Sequence, residues 1–208
     1  MKKTKRSKKS RNWVIKQHRD QFYKKSKTLG YRSRSAFKLL ELNKKYKFLK
    51  NNSKLLDIGS SPGGWSQVAS QIIKEGKIIS IDIKDMNKLD KVTFLKCDFL
   101  ENEAKTKILE VSEGKLDVVL SDMAANTTGN KNLDCIRTNL LCAEVVNFSS
   151  KILKNKGILV AKIFMGEDFL EVKKFAKKKF KKVEFFKPES SRNESKETYI
   201  HCSSLNTL

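Results

Sequence analysis

Seven short apolar runs, each bounded by polar residues, alternate with stretches of helical length along most of the chain, and nothing else in the sequence restricts its folding as strongly. The runs are KLLDIG, KIISID, VTFLKCD, LDVVLSD, GILVAKIF, KVEFFK and ETYIHC. Several are nearly continuous in apolar character, as strands covered on both faces must be. The segments between them, such as Trp65 to Lys74 and Asp134 to Leu153, have the length and period of helices. Strand and helix in alternation predict an α/β fold with a doubly wound, mostly parallel sheet and helices on both faces. Only PESSRNESK separates the last two runs, too little for a crossover helix, so those two strands are expected to pair antiparallel. Ahead of the sheet the pattern from Trp13 to Phe48 is helical. SRSAFKLLELNKKY is expected to cap at Ser33 or Ser35 and to line Phe37, Leu40 and Lys44 along one face.

At 208 residues the chain can bury a full core as one domain, expected over residues 13–208. Its net charge of +22 is unevenly placed. Residues 1–50 hold 19 Lys or Arg against two acids, residues 51–170 are balanced at 16 of each, and residues 171–208 carry 10 basic against five acidic. A lysine-rich composition alone would have raised the middle as well. A neutral middle flanked by basic ends points instead to a polyanion gripped by those ends, and residues 1–12 read as a basic arm. The four cysteines, Cys97, Cys135, Cys142 and Cys202, form no CxxC pair and lie in or beside apolar stretches. They are expected to be small buried thiols in a reducing compartment rather than disulfides or zinc ligands. No apolar run approaches the ~20 residues of a membrane span. The basic start is not followed by an apolar stretch, so a cytoplasmic protein without a secretory signal is expected.

In a doubly wound sheet the ligand binds at the carboxyl ends of the strands, where strand order reverses. The stretch LLDIGSSPGGWSQVAS ends a strand, turns through Gly59, Gly63 and Gly64, and opens a helix at Trp65 and Ser66 whose free amides favour an anionic group. Asp57 is expected to support that turn. Asp82, about 20 residues on, stands where an acid usually bonds ribose hydroxyls. Asp98 ends the third strand and Asp122 the fourth. A dinucleotide fingerprint would need glycine where Ser61 stands, and Pro62 stands where the loop would pass the pyrophosphate. That disfavours a nicotinamide oxidoreductase and favours a smaller anion joined to adenosine, as in S-adenosylmethionine. Lys162, inside the apolar GILVAKIF, is a candidate from burial alone, because a lysine inside a covered strand needs partners.

Several of these segments together resemble the FtsJ-like ribosomal RNA ribose-2′-O-methyltransferases: GYRSRSAFKLLEL, the glycine turn, SDMAAN, VAKIFMGEDF and KPESSRNESKETYI, in family order from about Trp13 to Cys202. The resemblance implies a Rossmann-like, seven-stranded methyltransferase sheet with one antiparallel strand near the C-terminus. It implies a Lys-Asp-Lys-Glu catalytic tetrad at Lys38, Asp122, Lys162 and Glu197, and contacts to S-adenosylmethionine from Gly63, Trp65, Asp82, Asp98 and Asp122. It implies methylation of a uridine ribose in large-subunit ribosomal RNA, by a monomer that uses no metal. Ala125 departs from the family's proline after SDMA, which bears on the loop after strand four and removes no chemical group. Transfer RNA or a messenger cap would suit the same chemistry. A non-catalytic RNA-binding assembly factor is disfavoured by the intact tetrad and turn. Arg32, Arg34 and Arg192 are expected to contact RNA phosphates, and His18 and His201 are assigned no role. The protonation of Lys162 stays open: burial and Lys38 would lower its pKa towards that of a general base, while Asp122 and Glu197 would raise it and leave an electrostatic stabiliser.

Overall fold

The computed structural model describes residues 20–206; the basic arm of residues 1–12 and His18 lie outside the described residues. Helices α1 (Gln21–Thr28) and α2 (Ser35–Tyr46) lead into β1 (Lys54–Ile58), α3 (Gly64–Ile72), β2 (Lys77–Asp82) and β3 (Val92–Lys96). There follow α4 (Asn102–Ser112), β4 (Leu116–Ser121), α5 (Lys131–Ile152), β5 (Leu153–Phe164), α6 (Phe169–Lys179), β6 (Phe180–Phe186) and β7 (Glu197–Leu205). All seven apolar runs are strands of one sheet, in the order β3-β2-β1-β4-β5-β7-β6. Strands β1 to β5 pair in parallel, and β7 runs antiparallel to both β5 and β6. The order reverses between β1 and β4, which makes their carboxyl ends the place for a ligand.

The sheet is covered on both faces, which explains the continuous apolar strands. One core joins Leu56, Ile58, Ile79, Val119, Leu159 and Ile163 to side chains of α4, α5 and α6. The other joins Leu55, Ile78, Leu120, Val160 and Tyr199 to Leu39 and Leu42 of α2 and to Trp65 and Val68 of α3. Each fully buried aliphatic side chain is worth about 1.5–3 kcal/mol against exposure, so these two layers supply most of the drive to fold. Among the described residues no helix is long and apolar enough to cross a membrane. Cys135, Cys142 and Cys202 are buried free thiols, and Cys97 is a half-buried one.

Helix α2 differs from its expected form in two ways. Arg34 occupies the N-cap position in helical conformation and makes no side-chain cap. The hydroxyls of Ser33 and Ser35 bond each other at 2.6 Å instead, and they press against Gly64. The buried face is Ala36, Phe37, Leu39 and Leu42, while Lys44 is exposed. Contact with α3 sets this face, and local periodicity does not reveal which neighbour a helix will meet.

His201, on the same face of β7 as Tyr199, stacks on the Tyr46 ring of α2 at 3.9 Å between centroids with the planes 3° apart. Burial pushes the imidazole down to about 4; Glu184 opposes this, and Lys182 and Lys45 add to it. The unfolded chain binds a proton on this histidine near pH 6.5 while the native chain does not, so acidification below that value favours unfolding. The stability of His201→Phe, which keeps a stacking ring, should therefore rise relative to wild type as pH falls from 6.5 to 4 in urea unfolding; a pH-independent difference would refute the assignment.

Candidate active site

The sheet register gathers the sequence candidates into one row. Ile58 of β1 faces Ile81 of β2 on one side and Ser121 of β4 on the other, and Ser121 faces Ala161 of β5. The next position on each strand, at the carboxyl ends, is Gly59, Asp82, Asp122 and Lys162, and Lys162 faces Tyr199 of β7. Side chains alternate along a strand, so Asp122 and Lys162 share the face of Leu120 and Val160, which is covered by α2 and α3. Lys38 reaches this place from α2 and Glu197 from the first position of β7.

These four side chains form one buried ionic network. The Lys162 ammonium lies 2.7 Å from Asp122 Oδ1 and 3.5 Å from Glu197 Oε2, and donates to the Asp122 carbonyl at 2.9 Å. The Lys38 ammonium lies 2.6 Å from Glu197 Oε1. Two side chains that the sequence reading passed over complete the set. The Tyr199 hydroxyl donates to Asp122 Oδ1 at 2.6 Å, and the Ser191 hydroxyl to Glu197 Oε1 at 2.8 Å. Tyr199 was traceable in principle, because Glu197, Tyr199 and His201 fall on one face of a strand. Ser191 lies on a loop whose path no local pattern reveals.

Burial of the Lys162 amine works to lower its pKa, but Asp122 and then Glu197 outweigh it, and the group is held above an ordinary lysine. Burial likewise opposes ionisation of Asp122 and Glu197, yet Lys162 and Lys38 hold both below the usual carboxylate range. Burial, then Asp122 and Glu197, push the Tyr199 phenol far upward. Lys162 is therefore an ammonium facing two carboxylates at neutral pH, with the balance at Lys162 decided by the acids.

The turn after β1 forms the neighbouring half of the site. Gly59 and Gly63 adopt φ of 76° and 102°, and a side chain at Gly59 would collide with Met123. Gln67 donates the first bond of α3 to the Gly63 carbonyl at 2.9 Å, which leaves the Gly64, Trp65 and Ser66 amides ahead of it unpaired within the helix. The Trp65 indole is buried and donates to the Ser35 carbonyl at 2.8 Å, so only its backbone remains for a ligand. Asp82 accepts from the Ser61 amide at 2.8 Å and the Lys84 amide at 2.8 Å, and Asp98 from the Leu100 amide at 2.9 Å. Each carboxylate retains lone pairs for further donors. Asp57, fully buried, accepts from the Ser66 hydroxyl at 2.6 Å and leaves Oδ1 without a partner. Burial, with further contributions from Asp122 and Asp82, drives it up to about 7. The strand-end acids and the helix amides of Gly64 and Trp65 fit a ligand that carries both a cation and a carboxylate, as S-adenosylmethionine does.

The segment before α2 is bonded to this turn. Arg32 donates to the carbonyls of Asn87 at 2.6 Å, Lys88 at 2.7 Å and Pro62 at 3.4 Å, and its amide donates to Gln67 Oε1 at 2.9 Å. Arg34 pairs with Asp20 and bonds the Ser190 carbonyl. The expectation that Arg32 and Arg34 meet RNA phosphates is thus corrected: their guanidinium forks are occupied by the protein's own carbonyls and by Asp20. Arg192 approaches Asp20 at 3.8 Å and stays half exposed.

The FtsJ-like methyltransferase model matches residues 31–205, a span that holds the whole network and the turn. The chain belongs to the FtsJ-like methyltransferase family. It is similar to ribosomal RNA large subunit methyltransferase E of Pelagibacter ubique, at 46% identity over 196 residues, covering 94% of this chain and 97% of that protein. The Rickettsia akari protein of the same name is 46% identical over 202 residues, covering 94% and 89%. Among solved structures, a Plasmodium falciparum protein assigned as a ribosomal RNA methyltransferase is 33% identical with a TM-score of 0.73, covering 84% of this chain and 98% of that one. Human methyltransferase-like protein 13, solved in complex with SAH, superposes at a TM-score of 0.58 and 15% identity, covering 81% and 79%, a likeness of fold alone.

Two measurements probe the site of this methyltransferase without reading its activity. Tyr199→Phe leaves the buried Asp122 short of a donor and should cost about 1–3 kcal/mol in chemical denaturation. Asp57 ionises near pH 4 when unfolded and near 7 when folded, so its burial reduces stability progressively across that window and by a constant amount above it. The stability of Asp57→Asn relative to wild type should rise from pH 4 to 7, and a pH-independent difference would contradict the shift.

Proposed function

We propose that this methyltransferase transfers a methyl group from S-adenosylmethionine to the 2′-hydroxyl of a uridine ribose in large-subunit ribosomal RNA. The buried network of Lys162, Asp122, Glu197 and Lys38 carries the reading, because it aims a charged amine at the open end of the strand row beside the glycine turn. The names and high identity of the Pelagibacter and Rickettsia relatives support ribosomal RNA as the polymer. Residues 13–208 act as one domain and residues 1–12 as a basic arm on RNA phosphates, in a cytoplasmic monomer.

S-adenosylmethionine supplies a methyl group on a sulfonium, already a good leaving group. The free amides opening α3, from the Gly63 turn through Trp65, suit its carboxylate. Asp82 suits ribose hydroxyls, Asp98 an amine donor, and Asp122 the positive charge. The protein's remaining work falls on the RNA hydroxyl. Lys162 meets it as an ammonium, because the acids hold its pKa up. It orients the oxygen lone pair and stabilises the negative charge that develops as the hydroxyl proton departs. Asp122 and Tyr199 fix the amine from one side and Glu197 from the other, while Lys38 holds Glu197 in place. The net reaction releases one proton, which passes to solvent.

Transfer of tritiated methyl should label ribosomal RNA in large subunits or protein-free form and leave transfer RNA unlabelled. Lys162→Ala should lower kcat by about 100-fold or more, the scale of losing an electrostatic donor at a reacting oxygen. With Lys162 charged throughout, the pH–rate profile of the saturated enzyme should show no ascending limb that Lys162→Ala abolishes. Label appearing only in transfer RNA would overturn the substrate, and full activity of Lys162→Ala the mechanism.

A further inference from the structure

A cavity of about 440 Å³ opens past the end of β5 and the start of β7, against the first turns of α5. That volume lies within the roughly 300–1,000 Å³ of small-molecule pockets. Cys135 and Ile136 of α5 and Met165 just past β5 give it apolar walls, and Asn132, Glu167 and Lys196 give it a polar rim. It adjoins two of the strands that carry the network: Met165 follows Lys162 by three residues, Lys196 immediately precedes Glu197, and the Met165 amide donates to the Lys196 carbonyl at 2.9 Å. Asn139 fixes this wall, donating to the Phe164 carbonyl at 3.0 Å and to Asp168 at 2.9 Å while accepting from the Phe164 amide at 2.8 Å. Gly166 keeps the floor open, since a Cβ there would stand 3.1 Å from that of Cys135.

We propose that this cavity receives an unstacked base of the RNA strand, within one nucleotide of the methylated ribose. The inference rests on the function proposed above and adds the residues that grip the nucleobase. Met165 is 51% exposed and Ile136 40%, a flexible thioether and an aliphatic side chain able to lie on the two faces of a flat ring. Glu167 accepts, Lys196 donates and Asn132 does both, which matches the mixed donor and acceptor edge of a base. The Glu167 carboxylate disfavours a phosphate at this rim. Leu133 and Leu140 continue the exposed apolar ridge of Ile136 along α5, three residues before it and four after, as a path for splayed bases outside the cavity. The cavity lies across β4 from the turn at β1 and β2, so base and cofactor do not compete for space.

Ribosomal RNA substituted with 4-thiouridine, protein-free and in assembled large subunits, provides the test. Irradiation should crosslink it to the peptides carrying Ile136 or Met165. A crosslink from the methylated nucleotide identifies the target base in the cavity, and one from its immediate neighbour the flanking base; both support the proposal. Met165→Ala, at an exposed position that should fold normally, should raise the Kd for this RNA about 10-fold, as loss of a base contact does, while cofactor binding stays unchanged. Crosslinks confined to other surfaces, or an unchanged Kd, would overturn it. Both readouts follow binding alone. A wild-type protein that crosslinks here but transfers no methyl would defeat the function proposed above, not the base site.

Discussion

The Lys162 ammonium is buried within a seven-stranded sheet, and its charge has to be balanced where it stands. Removing an ion from water costs several kcal/mol even after relaxation, so the surrounding fold is committed to supplying partners at fixed positions. Asp122 comes from the next strand in the same register row, and Glu197 from the antiparallel strand on the other side. Glu197 in turn needs Lys38, which comes from α2 outside the sheet. A one-residue slip of β5 against β4 would turn Lys162 to the opposite face and strand all of these charges. The network therefore specifies a register at the same time as it builds a site.

The site depends on α2 as much as on the sheet. The segment Gly30 to Ser35 is bonded to the start of α3 through Arg32, Gln67 and the Trp65 indole, and the same helix three residues later presents Lys38 to Glu197. The glycine turn and the charged network are thus two ends of one packed unit. Arg32 contributes through three carbonyls in two loops, Pro62 after β1 and the adjacent Asn87 and Lys88 after β2, which its planar guanidinium fork spans.

Much of the fold was legible before any coordinates. The seven apolar runs are the seven strands, and the short PESSRNESK connection marks the antiparallel pair, because strand burial and crossover length leave strong local signatures. Lys162 was legible as an anomaly, a charge inside an apolar run. Lys38 was not, since a lysine on a lysine-rich helix looks the same whether it meets solvent or Glu197. The buried face of α2 and the fate of Arg32 and Arg34 were misjudged for a related reason. Charge density identifies a basic surface, but pairing with Asp20 or with backbone carbonyls depends on which loops approach.

By itself the sequence determined the layered α/β class, the strand-end acids and the glycine turn, all of which follow from short-range pattern and backbone freedom. It also determined that a buried lysine would need carboxylates, because desolvation makes that unavoidable. Which carboxylates, and whether they or burial would prevail, only the tertiary structure decided. The answer depends on distances of 2.7 Å and 3.5 Å between groups 40 and 35 residues apart in the chain, and electrostatic interaction at that range is set by packing rather than by sequence order.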